Sequence, residues 1–136
     1  MGSFSDYLEN KLLDHILGGP DYTRPATVYI ALCTAAPTDA STGSTIVEAT
    51  CTGYARKAVT NNDTNFPAAA SGSKSNGVAI EFAKCTALSS VITHFAIVDA
   101  DTAGNVIGWG ALTAQKTIET NDIPRFGIGD LVTTQD

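Results

Sequence analysis

Charge is what this sequence has least of. Only 16% of its 136 residues are Asp, Glu, Lys or Arg, against about 25% in an average soluble domain. The charge present leans acidic, with 14 Asp and Glu against 8 Lys and Arg and a net −6. The cations are Lys11, Arg24, Arg56, Lys57, Lys74, Lys84, Lys116 and Arg125, of which only Arg56 and Lys57 adjoin. An acidic chain without a basic patch repels phosphate backbones, so no nucleic-acid partner is expected.

Long hydrophobic runs are missing too. No stretch approaches the roughly 18 apolar residues of a membrane span, and no membrane partner is expected. Residues 1–6 (MGSFSD) lack the basic-then-apolar layout of a signal peptide. Asp6 stands where a myristoylation motif requires Ser or Thr.

Metal-ligand spacing is also lacking. Cys33, Cys51 and Cys85 form no Cys-x-x-Cys, and the two histidines, His15 and His94, stand alone. No zinc site, and no cofactor of any kind, is expected. An odd cysteine count leaves at least one thiol unpaired within the chain. The simplest reading is three small buried residues in a chain made in a reducing cytosol. The sharper alternative is one bridge within the chain or between subunits.

What is present is 43% hydrophobic residues, together with abundant Thr, Ala, Ser and Gly. At this length a chain buries roughly two-thirds of its unfolded surface and needs neither metal nor disulfide to fold. Residues 3–17 (SFSDYLENKLLDHIL) predict a helix, capped by Ser3 with Asp6 or by Ser5 alone. Asp6 and Glu9 favour its N-terminal dipole, and Gly18-Gly19-Pro20 stops it. Tyr7, Leu8, Leu12, Leu13, Ile16 and Leu17 recur at spacings of three and four on one broad face. They are the candidate interface, either docking on a partner or covering one open end of the fold.

The remainder predicts strands. Residues 26–34, 54–60, 75–82, 91–98, 106–112, 116–119 and 126–134 are rich in β-branched or alternating residues between turn formers. Residues 99–105 read as a hairpin loop. Gly108 and Gly110 around Trp109 point to a bulge or to the close approach of another backbone. Seven or eight short strands with one helix predict an all-β fold, a single β-sandwich or jelly-roll-like domain with one N-terminal α-helix. Its division is a helical segment over 1–20 and a β-sandwich over 21–136.

Catalytic signatures are absent: no G-x-S-x-G, H-E-x-x-H, Walker loop or G-x-G-x-x-G. His94, in strict alternation, shares a face with Ile92 and Ala96. It would act as a general base only with an activated cysteine beside it. A half-buried histidine in a sheet is the plainer reading. Asp99, Asp101 and Asn105 sketch a calcium loop, but Ala103 and Gly110 stand where an EF-hand needs its fifth and twelfth ligands. These Asp and Asn side chains serve turns equally well. One of Arg56 and Lys57 is expected to pair with a carboxylate and the other to be solvated. No catalytic residue and no metal ligand is assigned, and no enzymatic activity is expected.

Several of these stretches together resemble a family of small virion proteins of tailed phages. They are residues 3–17, residues 25–34 (PATVYIALCT) with Pro37-Thr38-Asp39, Gly53-Tyr54-Ala55-Arg56, residues 93–97 (THFAI) and residues 109–112 (WGAL). The resemblance covers most of the chain. Members of the family are often labelled tail fibre proteins. The size and β content also resemble capsid decoration, or cement, proteins that sit on phage heads as trimers. The resemblance implies a structural protein on the capsid exterior, made in the host cytoplasm, with the major capsid protein and its own copies, as a homotrimer, for partners. The alternative is a tail fibre or tail adaptor component that contacts the host surface.

Overall fold

In the computed structural model, residues 2–135 are described. The order of elements is β1 (Gly2–Phe4), α1 (Asp6–Ile16), β2 (Thr27–Cys33), β3 (Lys57–Thr60), β4 (Ser73–Ser75), β5 (Ile80–Glu81), β6 (Ser90–Val98), β7 (Val106–Ile118), β8 (Arg125–Phe126) and β9 (Val132–Thr134). This is the all-β fold with one N-terminal helix that the sequence predicts. Five strands form an antiparallel sheet in the order β1-β7-β6-β2-β3, and β4–β9 and β5–β8 form two two-stranded ribbons.

The sheet has apolar side chains on both faces. Val28, Ile30, Leu32, Ile92 and Phe95 point to one side, where Phe66, Ile80, Phe82, Phe126 and Leu131 close over them. The ribbons therefore supply much of the second layer of the sandwich. Phe126 packs edge-on to Phe95, with ring centroids 6.0 Å apart, and tilted against Phe82 at 6.2 Å. Each such side chain contributes about 1.5–3 kcal/mol by leaving water. The other face carries the smaller Ala31, Cys33, Ala96, Val98 and Val106, with Ile46 and Trp109 packed against them. Small residues let the long 34–48 connection lie close to the sheet.

Local chemistry moves several boundaries. The helix begins later than the periodicity predicts because Ser5 is extended (φ −82°, ψ 160°) and its hydroxyl accepts from the Leu8 N–H, which makes Ser5 the cap. The residues before it form β1 and pair with β7, Ser3 opposite Trp109 and Phe4 opposite Gly108. A Cβ at Gly108 would lie 3.0 Å from the Ser3 carbonyl, so glycine favours this close backbone approach. Gly18, in the left-handed region at φ +86°, ends the helix as expected.

The two strands predicted at 106–112 and 116–119 are one strand, β7, that survives its irregularities. Ile107 is a single-residue bulge, and Thr93 alone faces residues 112–115 between the pairs Ile92–Lys116 and His94–Ala111. That second irregularity shifts the phase of β6. His94 keeps the face of Ala96 and Val98, as alternation predicts, whereas Ile92 leaves that face and joins Phe95 in the large core.

Candidate functional site

The features with functional content gather where α1 meets the sheet. Ser5 anchors this junction. Its N–H donates to the Ile107 carbonyl (3.1 Å), its hydroxyl donates to the Val106 carbonyl, and the Asp6 N–H donates to the Asp39 carbonyl (2.8 Å). The Asp39 carboxylate in turn accepts from Trp109 Nε1 at 3.2 Å. Helix, strand β7 and the loop after β2 are thus held in one piece at the N-terminal end of α1.

The candidate interface residues divide by height along the helix. Leu8 is buried at 5% exposure, and Tyr7 and Leu12 are half-buried. Leu13, Ile16 and Leu17 are 57%, 72% and 77% exposed. The broad apolar face therefore splits into an inward row that holds the helix down and a C-terminal cluster that faces water. Sequence spacing alone could not separate the two, because both lie within one apolar arc.

Beside the inward row runs a groove of about 270 Å³, floored by Phe4, Leu8, Leu12, Phe66 and Ile107. Arg24 and Lys74 stand on its rim with Tyr22. The phenol of Tyr22 is pushed up by burial and by the neighbouring Tyr7 and Asp99, so it stays neutral. The segment after the helix folds back over it, with the Tyr22 N–H donating to His15 Nδ1 (3.1 Å) and His15 facing Asp21 at 3.5 Å.

A second construction braces the far side of the sheet. Arg56, its side chain 4% exposed, donates to Glu48 and to the carbonyls of Gly43, Ala100 and Ala103. Glu48 also accepts from the Tyr54 hydroxyl at 2.5 Å, and that hydroxyl accepts from the Leu32 N–H at 3.1 Å. Burial and the Glu48 carboxylate raise the Tyr54 phenol well above its usual range. Arg56 is thus the one that pairs with a carboxylate, and Lys57 is exposed, as the strand reading requires.

The chemical alternatives find little support in these positions. Cys33 does stand opposite His94 in the β2–β6 register. Burial and the nearby Glu48 push its thiol up to about 12, so it carries no thiolate at neutral pH. His94 is bonded through Nδ1 to Thr93 Oγ1 (2.8 Å) and packs against Trp109, with ring centroids 6.2 Å apart. The Asp99 carboxylate accepts from the backbone and side-chain N–H groups of Asn105 (2.7 and 2.9 Å), which closes its own turn. Among the described residues, no group of three or more His, Cys, Asp or Glu could hold a metal ion. No helix among them is long and apolar enough to cross a membrane.

A family model described as Podophage GP4 fiber I protein gp80 matches residues 3–134. The chain belongs to the podophage GP4 fiber I protein gp80 family. As a gp80-family chain it is a virion-associated structural protein of the fibre kind. No curated protein matches it. The family match spans both the helix end and the Arg56 brace.

Asn76 is the residue that sequence reading missed. It is 1% exposed, donates from Nδ2 to the carbonyls of Val78 and Gly127 (both 2.8 Å), and accepts the Leu131 N–H at 2.9 Å. It lies in a stretch read as a strand, and nothing local marks an Asn two of whose three partners are more than 50 residues away.

Proposed function

We propose that this gp80-family chain is a non-enzymatic building block of a podophage fibre that docks against a neighbouring copy of itself through the C-terminal end of α1. The observation that carries this reading is the trio Leu13, Ile16 and Leu17, three large apolar side chains each more than half exposed. Leaving about 2 kcal/mol of transfer free energy per side chain in water makes sense for a surface that is covered in the assembled state.

Charge supports a second copy as the occupant. Asp14 lies within the exposed helix end, and Asp21 lies just beyond it. Arg24 and Lys74 line the apolar groove together with Leu8 and Leu12. One copy's helix end meets its neighbour's groove with acid opposite base. Such a head-to-tail contact closes into a ring when the rotation between copies divides a full turn, and we take the ring to be a trimer.

The competing reading is a capsid decoration protein whose helix end grips the major capsid protein. Both readings predict assembly through α1, and they differ in location. Sedimentation equilibrium on the purified chain tests the first point. A trimer for the wild type and a monomer for Ile16→Glu/Leu17→Glu, with the far-UV circular dichroism unchanged, would support the proposal. A wild type that stays monomeric at high concentration would overturn self-docking. Cryo-electron microscopy of the particle tests the second point. Density on the tail supports the fibre role, and density at the threefold and quasi-threefold positions of the head would replace it with the decoration role.

A further inference from the structure

Two of the three thiols are neighbours in space. Cys51 and Cys85 are 6% and 0% exposed and belong to the same apolar cluster, whereas Cys33 lies on the opposite face of the sheet. The antiparallel bridge Thr52–Ala87 brings their backbones together. In it the Thr52 N–H donates to the Ala87 carbonyl (2.9 Å) and the Thr86 N–H to the Thr52 carbonyl (2.8 Å). Cys85 Sγ turns back toward the carbonyls of Ala87 and Leu88, at 3.5 and 3.4 Å, in the segment that bridges to Thr52. Cys85 lies near enough to Cys51 to help raise its thiol pKa. All three cysteines are free thiols in this structure.

We propose that Cys51 and Cys85 form a latent disulfide site, closed when the chain leaves a reducing compartment for an oxidising one. The bond would staple residues 49–54 to the 83–90 loop, which is otherwise tied there by the Thr52–Ala87 bridge and by Ser90, whose hydroxyl accepts from the N–H groups of Thr50 (2.9 Å) and Cys51 (3.1 Å). The oxidant is a small-molecule disulfide such as glutathione disulfide. One protein thiol loses its proton, and its sulfur attacks the small disulfide. This forms a mixed disulfide and expels one small thiolate, which takes up that proton. The second protein thiol then attacks the protein-side sulfur and expels the second small thiol. Two protein thiols are oxidised to one S–S bond, and one small disulfide is reduced to two thiols.

Burial and the adjacent Cys85 hold the Cys51 thiol up at about 11. The site is therefore inert in the closed fold and reacts from locally opened molecules, which makes it a slow staple rather than a fast sensor. A closed loop of this size removes freedom chiefly from the unfolded chain, so the oxidised protein melts about 5 °C or more above the reduced one.

The test incubates the full reduced chain with glutathione disulfide, then unfolds it, alkylates the remaining free thiols and maps the peptides by mass spectrometry. The expected result is the loss of two hydrogens, a Cys51–Cys85 cross-linked peptide and an alkylated Cys33. Cys33→Ser should keep the cross-link, and Cys51→Ser and Cys85→Ser should each abolish it. Alkylation of both Cys51 and Cys85 after prolonged oxidation, glutathione stably held on both, or a bridge that includes Cys33 would overturn the proposal. The wild-type peptide map decides this even if a serine variant fails to fold.

Discussion

Arg56 directs two of its five N–H donors, Nε at 3.0 Å and one Nη2 at 2.7 Å, onto a single oxygen of Glu48. The other three go to the carbonyls of Ala100 (2.9 Å), Ala103 (2.9 Å) and Gly43 (2.7 Å), so every donor of the guanidinium is used. One side chain thereby ties the 43–48 connection to the turn between β6 and β7. Removing it leaves a carboxylate and three carbonyls short of a partner. Arg56→Met should lower stability by about 3 kcal/mol, and Arg56→Lys should recover only part of it because an ammonium cannot reproduce the fork. Urea denaturation followed by tryptophan fluorescence checks this, and a loss below about 1 kcal/mol would mean the loops hold without the brace.

Asn76 does the same work between the ribbons, with no charge involved. Replacing it with Leu keeps the branching of the side chain, adds bulk, and strands two carbonyls and the Leu131 N–H inside the protein. The expected loss is about 2–4 kcal/mol, since each orphaned buried group costs about 1–3 kcal/mol and neighbouring losses do not add fully. Asn76→Asp keeps the acceptor and loses both donors, and should be no better. Thermal melts of the two variants against the wild type decide it.

The regularities that local sequence encodes were legible, and those that depend on distant residues were not. The Gly18 stop, the β6–β7 hairpin and the all-β character follow from turn chemistry and side-chain period. The pairing of Arg56 with a carboxylate was foreseeable in kind, but not that Glu48 would be the partner. Of the two caps the sequence offered for α1, Ser5 is the one used; the start at Ser3 fails because residues 2–4 obey a strand partner, β7, more than 100 positions later. The face of Ile92, expected to be that of His94 and Ala96, was misread because the irregularity that resets β6 resides in β7. The candidate interface was found as one stripe. Its division into an inward Leu8 and an outward Leu17 depends on where β1 seats the helix, and strand alternation says nothing about that.

His94 gives the fold a one-sided pH response. Desolvation lowers its pKa below the ordinary 6.5. Below pH 6.5 the unfolded chain takes up a proton at this residue that the folded chain refuses. The stability tied to neutral His94 is therefore fully present above that pH and lost as pH falls toward the folded-state pKa. His94→Gln should flatten this part of the profile between pH 7 and 5. Denaturation midpoints across that range check the sign. A wild type that gains stability on acidification relative to His94→Gln would contradict it.

Leu8 and Leu17 lie nine positions apart on the same helix and should behave as opposites. Leu8 is 5% exposed and floors the groove, so Leu8→Ala should destabilise the isolated chain by about 2–4 kcal/mol through lost burial and a partly collapsed cavity. Leu17 is 77% exposed, so Leu17→Ala should change the monomer by no more than about 0.5 kcal/mol. If α1 docks on a neighbour, the order inverts for assembly. Leu17→Ala would then weaken association roughly tenfold or more, while Leu8→Ala at temperatures well below its melt would assemble with nearly wild-type affinity. Unfolding curves run beside sedimentation equilibrium separate the two effects. Equal association constants for wild type and Leu17→Ala would mean that the exposed helix end is not the contact.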